Sequence, residues 1–443
     1  MAGKQPSSDR RGRFTQATEP AWEGDLPGRE PVLADETAPG PAHGRWRALA
    51  FLSLAELFML SPWFGAAAVL AALTREWHLG DFAQAGMTAA VQLGFIAGTL
   101  LSATFNLADL LAPRVLMALS AALAAAANAA LVPWATGAAS ALVLRVLTGV
   151  FLAGVYPPAM KAVATWFRQG RGLALGILIG ALTVGSASPY LLRGLTSLPW
   201  RETLLVSSGL TLMGGAVVFL LVGEGPYRFP PARFDVRMAL AVFRERGPRL
   251  ACLGYLGHQW ELYAMWSWMG VFLFESLRAR QGGVHLAANA SVATFFVIAA
   301  GGVGCYLGGL LSDLFGRTAM TMAAMAVSGL SAVLIGLTFA GPPWLTLLVA
   351  TVWGVSIVAD SAQFSAAITE LSPAAYVGTA LTTQTCVGFA LTIVTIWMIP
   401  PVARLVTWRW AFATLAPGPA LGVLAMARLR ALPEASKLAG GRR

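Results

Sequence analysis

Four ionisable side chains lie inside long apolar segments of this 443-residue chain: Glu56, Arg145, Glu261 and Asp360. A charged group at the centre of a bilayer costs about 2.5–3.5 kcal/mol even on a lenient insertion scale. Each side chain therefore needs a partner or a water-filled cavity. A carboxyl group there can bind a proton when it is desolvated and release it when an Arg approaches. These residue types predict proton transfer; the alternative is a static brace that pairs Arg145 with Glu56 or Asp360.

A short motif that contains one of these carboxyl groups occurs twice. The stretches ELFMLSPWFG and ELYAMWSWMG begin at Glu56 and Glu261, a spacing of 205 residues. In a helix, residues seven apart lie on one face. Trp63 follows Glu56 at this spacing. Trp268 follows Glu261 in the same way, and His258 precedes Glu261 by three residues. The Glu, Trp and His side chains that share one helical face predict a cavity wall. The alternative is that the Trp residues pack between helices or lie at the membrane interface.

The composition places these motifs in a membrane protein. Hydrophobic residues make up 57% of the chain, charged residues make up 12%, and the mean hydropathy is +0.66. That leaves too little polar surface for a water-soluble fold. Apolar segments of about 20 residues, the length that crosses a bilayer, follow one another along the chain. We expect an all-α membrane protein with twelve transmembrane helices, at 48–72, 84–105, 115–132, 138–163, 172–194, 203–222, 250–274, 289–311, 318–340, 344–367, 377–400 and 410–427.

The repeat extends over both halves of the chain. Asp109 and Asp313 follow corresponding helices at a spacing of 204 residues, and the Trp-Arg pairs that begin at Trp200 and Trp408 are 208 residues apart. Internal repeats of this kind are how many transporters are built. We therefore expect two pseudo-symmetric six-helix bundles. The predicted domains are a disordered cytoplasmic tail, the first bundle, a basic cytoplasmic linker, the second bundle and a cytoplasmic tail, at 1–44, 45–222, 223–249, 250–428 and 429–443.

Basic residues are distributed unevenly between the two sides of the predicted helices. Of the 31 Lys and Arg residues, 22 fall on the side that carries both termini and seven on the other side. Cytoplasmic loops carry this excess, so we expect both termini in the cytoplasm. The net charge of +10 then reflects topology and lipid contacts rather than nucleic-acid binding. The preference for Arg over Lys suggests a GC-rich bacterial genome, and hence the bacterial inner membrane.

The segment GGLLSDLFGRT carries a family resemblance. It is similar to the loop signature of the major facilitator superfamily, with Gly309, Leu311, Asp313, Gly316 and Arg317 at the signature positions. The pattern of an Arg at 145 followed by a Gly four residues later also resembles the fourth helix of that family. The resemblance implies twelve helices in two bundles around a central cavity, and alternating access to one solute site.

The first-half copy of the loop signature is degraded. Phe105 and Ala112 replace its glycines, although Asp109 and Arg114 are present. In the family the loop is linked to latching the two halves in one state, so the resemblance implies that the latch of this chain lies in the second half. The Gly-Pro pairing expected of drug/proton antiporters is absent from the fifth helix, which disfavours drug export.

No motif for another chemistry is present in the sequence. It has no phosphate-binding loop, no HExxH pair and no Cys/His cluster, so we expect no enzyme activity, no cofactor and no metal site. Energy must come from an ion gradient or from the gradient of the solute.

We predict a monomeric, proton-coupled secondary transporter of a small organic or inorganic anion. In this interpretation Arg145 binds the anion or tunes a nearby acid, and Gln363 is a further candidate for the same cavity. The run PPAMKAVATWF resembles porters of small anions, including the nitrate/nitrite and organic-anion branches. The alternatives are a membrane scaffold or sensor that no longer transports, and a drug or metabolite exporter of the same fold.

Overall fold

The computed structural model describes residues 42–167, 170–196, 198–227, 239, 241–280, 285–373 and 376–442. Nearly all of the predicted tail 1–44 and much of the predicted linker 223–249 therefore lie outside the described residues. The membrane-spanning helices of the described chain, labelled α1 to α12, are Ala42–Met59, Asp81–Thr104, Pro113–Trp134, Ala138–Trp166, Arg171–Thr196, Trp200–Leu221, Arg246–Arg280, Leu286–Phe315, Arg317–Leu337, Pro343–Leu371, Val377–Ala411 and Pro417–Arg430. Shorter helical pieces are Gly65–Ala68, Leu70–Trp77, Leu107–Leu110, Ala241–Arg244, Phe412–Leu415 and Pro433–Gly441.

The helices have the length and composition of membrane spans. Within the described ranges, nine helical segments are long and apolar enough to cross a membrane, and one of them, Val377–Arg430, contains both α11 and α12. The two remaining helices, α1 and α7, are those that carry the repeated Glu. Large apolar side chains such as Leu220 and Leu330 are 74% and 59% exposed, as expected where lipid replaces water. The prediction of an all-α membrane protein with twelve helices is confirmed.

The first span is not one continuous helix. α1 ends at Met59, a run of turns that contains Pro62 follows, and the chain resumes as Gly65–Ala68 and Leu70–Trp77. Proline supplies no N–H and its ring clashes with the carbonyl four residues earlier, which ends the helix. The prediction that Glu56 and Trp63 lie on one face of a continuous helix was therefore wrong.

Two further spans are interrupted. α4 breaks just ahead of Tyr156, because Pro157 cannot continue the preceding hydrogen-bond ladder. α10 breaks at Asp360, where no proline is present. There α8 presses against the chain, since a Cβ atom on Gly308 would fall on the carbonyl of Ala359. Both breaks place irregular backbone inside the bundle, where protein surrounds it.

The two halves repeat one packing pattern. In the first half α2 packs against α4 and α3 packs against α6. In the second half the corresponding helices pack in the same way, α8 against α10 and α9 against α12. The common pattern agrees with the repeat in the sequence.

Small residues allow the halves to approach each other along α5 and α8. A Cβ atom on Gly180 would lie 3.1 Å from the carbonyl oxygen of Gly302, and one on Gly309 would lie 2.8 Å from that of Gly172. Larger side chains at these positions would force the two helices apart. The α5–α8 contact therefore closes one flank of the interface between the halves.

Aromatic and charged contacts close the opposite flank, between α2 and α11. Phe82 stacks on Trp397 with ring centroids 5.0 Å apart, and the Trp397 Nε1–H donates to the Phe82 carbonyl at 3.2 Å. Asp81 pairs with Arg404 beside this stack. These contacts lie at the end of the bundle opposite to the termini, so the halves are held together there.

The segment after α12 is folded against the bundle. Its 3₁₀ helix, Pro433–Gly441, buries Ala435 and Leu438 completely. The backbone N–H of Ala439 donates to the Glu370 carboxylate at 3.0 Å. The predicted tail 429–443 thus contains an ordered segment that reaches α10.

Candidate functional site

A small cavity lies between the two halves. Its volume is about 40 Å³, room for no more than a few water molecules. The α1 break, α4 and α5 contribute from the first half, and α7, α10 and α11 from the second. The lining residues are aromatic, aliphatic or uncharged polar: Leu60, Trp63, Tyr156, Ile179, Leu182, Thr183, Tyr255, Gln259, Leu262, Tyr263, Trp266, Val358, Ser361 and Phe389. Among these described lining residues, none is an Asp, Glu, Lys or Arg.

Three polar atoms of the cavity wall lack a hydrogen-bond partner among the described residues. They are Nε1 of Trp63, Nε1 of Trp266 and Oε1 of Gln259. All three side chains are at least 97% buried, with exposed fractions of 3%, 1% and 3%. Gln259 donates through its amide nitrogen to the Tyr255 hydroxyl at 2.5 Å, which fixes the amide orientation. Buried polar atoms are normally paired, so these two donors and one acceptor can bind water in the closed cavity and a larger solute when the two halves separate.

Aromatic rings join the two halves around this cavity. The ring of Trp63 lies 5.8 Å from that of Tyr263 and 6.0 Å from that of Phe389, centroid to centroid. Phe64, next in the α1 break, contacts the ring of Trp266 at 5.8 Å. The break in α1 therefore turns aromatic side chains of the first half towards the second half.

Arg145 is completely buried, and its guanidinium group binds protein oxygens. It donates to the carbonyls of Pro62 at 2.9 Å, Trp63 at 2.7 Å and Met87 at 3.1 Å, and to Asn128 Oδ1 at 3.1 Å. These bonds use four of the five N–H groups of a guanidinium. Arg145 does not line the cavity, and its partners are uncharged.

Asn128 extends this network from α3 to α6. Its amide nitrogen donates to the carbonyl of Leu204 at 3.1 Å and to the hydroxyl of Ser208 at 2.9 Å. Arg145 and Asn128 therefore tie α1, α2, α3, α4 and α6 together. The brace that pairs Arg145 with Glu56 or Asp360 is not among the described contacts: carbonyl oxygens and an amide oxygen take the place of the carboxylate.

Glu56 is fully buried in α1, one helical turn before the break. Neither of its carboxyl oxygens has a hydrogen-bond partner in the described part of the chain. The first half thus holds one carboxyl group that no described contact stabilises.

The second half brings three of the predicted residues together. His258 Nδ1 lies 2.9 Å from Asp360 Oδ1, and both side chains are at least 98% buried. The Glu261 carboxylate accepts from the Ser328 hydroxyl at 2.5 Å and from Trp353 Nε1 at 3.4 Å. His258 and Glu261 lie three residues apart on one face of α7. An imidazole and two carboxyl groups are therefore buried between α7 and α10.

Trp268 lies apart from the cavity. It stays within the continuous α7 and donates from Nε1 to the carbonyl of Ile396 in α11 at 2.9 Å. This contact matches the alternative in which the indole packs between helices.

The loop signature of the second half is held by an ion pair. Arg317 donates to both carboxyl oxygens of Glu370, at 2.8 and 2.5 Å, and to Gln363 Oε1 at 2.7 Å. Gln363 thereby belongs to this pair rather than to the cavity lining. Gly316 has φ of 90°, a conformation that disfavours any larger residue. A Cβ atom on the first-half Gly172 would lie 3.1 Å from the Asp313 carboxylate, so the loop reaches across the interface.

The first-half copy of the loop differs. Ala112, at the position that corresponds to Gly316, has φ of −57°. Arg114 is exposed, with no ion pair or hydrogen bond of its side chain among the described residues. The Asp109 side chain lies outside the described part of the structure.

The sequence predicted that α7 borders the cavity, but it predicted the wrong face of that helix. Tyr255, Gln259, Tyr263 and Trp266 follow one another on a single stripe of α7. This stripe lies one residue, or about 100° around the helix, from the predicted stripe that contains His258. The aromatic spacing is a signal that could have revealed it.

Comparisons with known proteins agree with this architecture. A family model for the Major Facilitator Superfamily matches residues 49–395. Among solved structures, the crystal structure of a D-xylose-proton symporter is similar with a TM-score of 0.66 and 15% sequence identity, over 88% of this chain and 99% of that chain. At that identity the likeness shows the fold alone. A search of curated proteins gives no significant match.

Proposed function

The chain belongs to the major facilitator superfamily, and we propose that it is a proton-coupled secondary transporter of a small uncharged solute that carries hydroxyl groups. The observation that supports this proposal most is the cavity between the halves. Its described lining combines six aromatic side chains with uncharged polar groups. A charged solute would lose its hydration there without gaining a counter-charge.

The unpaired polar atoms favour hydroxyl groups in the solute. The indole N–H groups of Trp63 and Trp266 can donate, and Gln259 Oε1 can accept. A hydroxyl group both donates and accepts, so several hydroxyl groups on one small ring or chain can satisfy all three atoms. The D-xylose-proton symporter of the same fold is named for such a solute, which supports a sugar or polyol as the first class to test.

Proton coupling is proposed on the buried carboxyl groups. Glu56, Glu261 and Asp360 are each no more than 1% exposed, and a buried carboxyl group is stable only when it is protonated or paired. Binding or release of a proton at one of these carboxyl groups accompanies opening of the interface to water.

An anionic solute stays a prediction without support from the described contacts. Arg145, the residue on which that prediction depended, donates to Pro62, Trp63, Met87 and Asn128 and does not line the cavity. The uneven distribution of basic residues supports cytoplasmic termini. We also propose a monomer in a bacterial inner membrane, surrounded by lipid; the preference for Arg over Lys supports the bacterial source.

Uptake into proteoliposomes tests the proposal. Purified full-length protein would be reconstituted with an acidic exterior and offered D-xylose, D-glucose and myo-inositol beside lactate, nitrate and an amino acid. We expect accumulation of at least one hydroxylated, uncharged solute that collapses when a protonophore removes the pH gradient. Accumulation of lactate or nitrate alone would contradict the proposed solute class, and transport that ignores the gradient would contradict coupling.

A further inference from the structure

The buried pair His258 and Asp360 lies where α10 is interrupted. Asp360 is the residue between the two helical pieces of α10, and His258 faces it from the middle of α7 at 2.9 Å. The two atoms are close, but their angle is not that of a hydrogen bond, and neither ring nitrogen of His258 has such a bond among the described residues. In the described part of the chain, no hydrogen bond therefore fixes the imidazole, in contrast to the four bonds of Arg145.

The pair lies directly behind the cavity wall. Gln259 follows His258 in the chain, Ser361 follows Asp360, and both of these neighbours line the cavity. A backbone movement at the α10 break that changes the distance between Asp360 and His258 therefore shifts Ser361, and one of α7 shifts Gln259. Gln259 carries the acceptor of the cavity wall that lacks a described partner.

We propose that the transported proton is held between the His258 imidazole and the Asp360 carboxylate, and that this pair sets solute affinity through Gln259 and Ser361. With the proton bound, an imidazolium faces a carboxylate and the pair is net neutral. When the proton leaves to water, a neutral imidazole and an unpaired carboxylate remain, and their attraction is lost. By linkage, the proton strengthens solute binding and the solute strengthens proton binding by the same factor. The inference rests on the proposed transport function.

Polar and titratable side chains of the neighbouring helices face the His258–Asp360 pair. On α7 they are Glu261, which Ser328 of α9 and Trp353 of α10 hold in place, and Tyr255. α8 contributes the Cys305 thiol, which donates to the Val358 carbonyl at 3.6 Å. α9 brings Arg317 to Gln363, three residues after Asp360, where Glu370 pairs with the guanidinium. Among these described groups, His258 is the basic side chain within ion-pair distance of Asp360.

A measurement without solute tests the pair itself. Infrared difference spectra of the purified full-length protein between acidic and alkaline pH would be compared for wild type, Asp360→Asn, His258→Gln and the control Glu202→Gln, a change at an exposed carboxyl group of α6. We expect wild type to show one imidazole component that titrates together with a shift of a carboxylate band. His258→Gln should remove both signals, Asp360→Asn should remove the carboxylate shift, and Glu202→Gln should leave both unchanged. A carboxylate shift that persists in Asp360→Asn, or an imidazole component that persists in His258→Gln, would overturn the assignment.

A transport measurement tests the coupling, with D-xylose as probe. In Asp360→Asn we expect accumulation driven by a pH gradient to fall by about tenfold or more, while exchange of labelled for unlabelled solute at equal concentrations stays within about threefold. If D-xylose and the other solutes are not transported by wild type, the proposed function fails while the infrared result still decides the pair. If wild type transports and Asp360→Asn accumulates normally, the pair is not the coupling site. His258→Gln gives a second, independent variant should Asp360→Asn fold poorly.

Discussion

Glu56 and Glu261 occupy corresponding positions of the two halves, but their surroundings differ. The carboxyl oxygens of Glu56 have no hydrogen-bond partner among the described residues, whereas Glu261 accepts from Ser328 and Trp353. The corresponding Trp residues, Trp63 and Trp268, also have different surroundings. Trp63 lines the cavity with an unpaired N–H, and Trp268 donates to Ile396 away from it. Identical residues at one spacing have therefore acquired different environments.

The difference follows from where each half contains irregular backbone. In the first half the break in α1 is held by Arg145, which binds the carbonyls of Pro62 and Trp63. In the second half α7 is continuous, and the break lies in α10 at Asp360. The first half thus presents a braced aromatic wall, and the second half presents an imidazole and a carboxyl group with no described hydrogen bond between them.

The largest loss of stability is expected for Arg145→Met. The change removes four hydrogen bonds and leaves their buried acceptors unpaired, so we expect a loss of at least about 3 kcal/mol of stability. Unfolding of the detergent-solubilised protein measures it, and Arg114→Met, an exposed position, is the control. A stable Arg145→Met protein that has lost transport of an anion would instead show that the guanidinium binds substrate.

A smaller effect is expected for Arg317→Ala. It breaks the pair with Glu370 and the bond to Gln363, a loss of about 2 kcal/mol, and it frees the loop that reaches the first half. Transport and unfolding would be measured beside Arg114→Ala, from the degraded copy of the loop. We expect both measurements to change only for Arg317→Ala; equal effects would contradict a latch confined to the second half.

The two Glu residues provide the third test. Glu261→Leu leaves the buried Trp353 N–H without its described acceptor and removes one of the two acceptors of Ser328, which should cost about 1–3 kcal/mol. Glu56→Leu removes a buried carboxyl group that has no described partner, so we expect no loss of stability or a gain. The free energies of unfolding of both variants would be compared in the same detergent. A greater loss of stability for Glu56→Leu would show that the Glu56 carboxyl group makes a stabilising contact in the folded protein.

The smallest effects are expected for the paired Trp residues. Trp63→Phe keeps a ring in the cavity wall but removes its N–H, which should raise the apparent KM about threefold to tenfold with little change in stability. Trp268→Phe should lower stability by about 1 kcal/mol and leave KM unchanged. The reverse pattern would assign the cavity to the other face of α7.

Hydropathy predicted the twelve spans because each must cover the same bilayer thickness with apolar residues. The repeats predicted the two halves. The break ahead of Tyr156 follows from the proline that comes next, but the break at Asp360 has no such signal, since it depends on the approach of α8. The face of α7 that borders the cavity also depends on neighbouring helices. The partner of Arg145 was not predictable for a related reason: carbonyls freed by the α1 break become acceptors only in the folded chain.

The charge that crosses the membrane with the solute shows whether a proton is transported together with an uncharged molecule. Proteoliposomes on a solid-supported membrane report this current when D-xylose or another transported solute is added. One proton carried with one uncharged solute predicts an inward positive current that grows as the exterior becomes acidic within the range in which the protein stays folded. Electroneutral accumulation, as for an anion carried with a proton, would contradict the account.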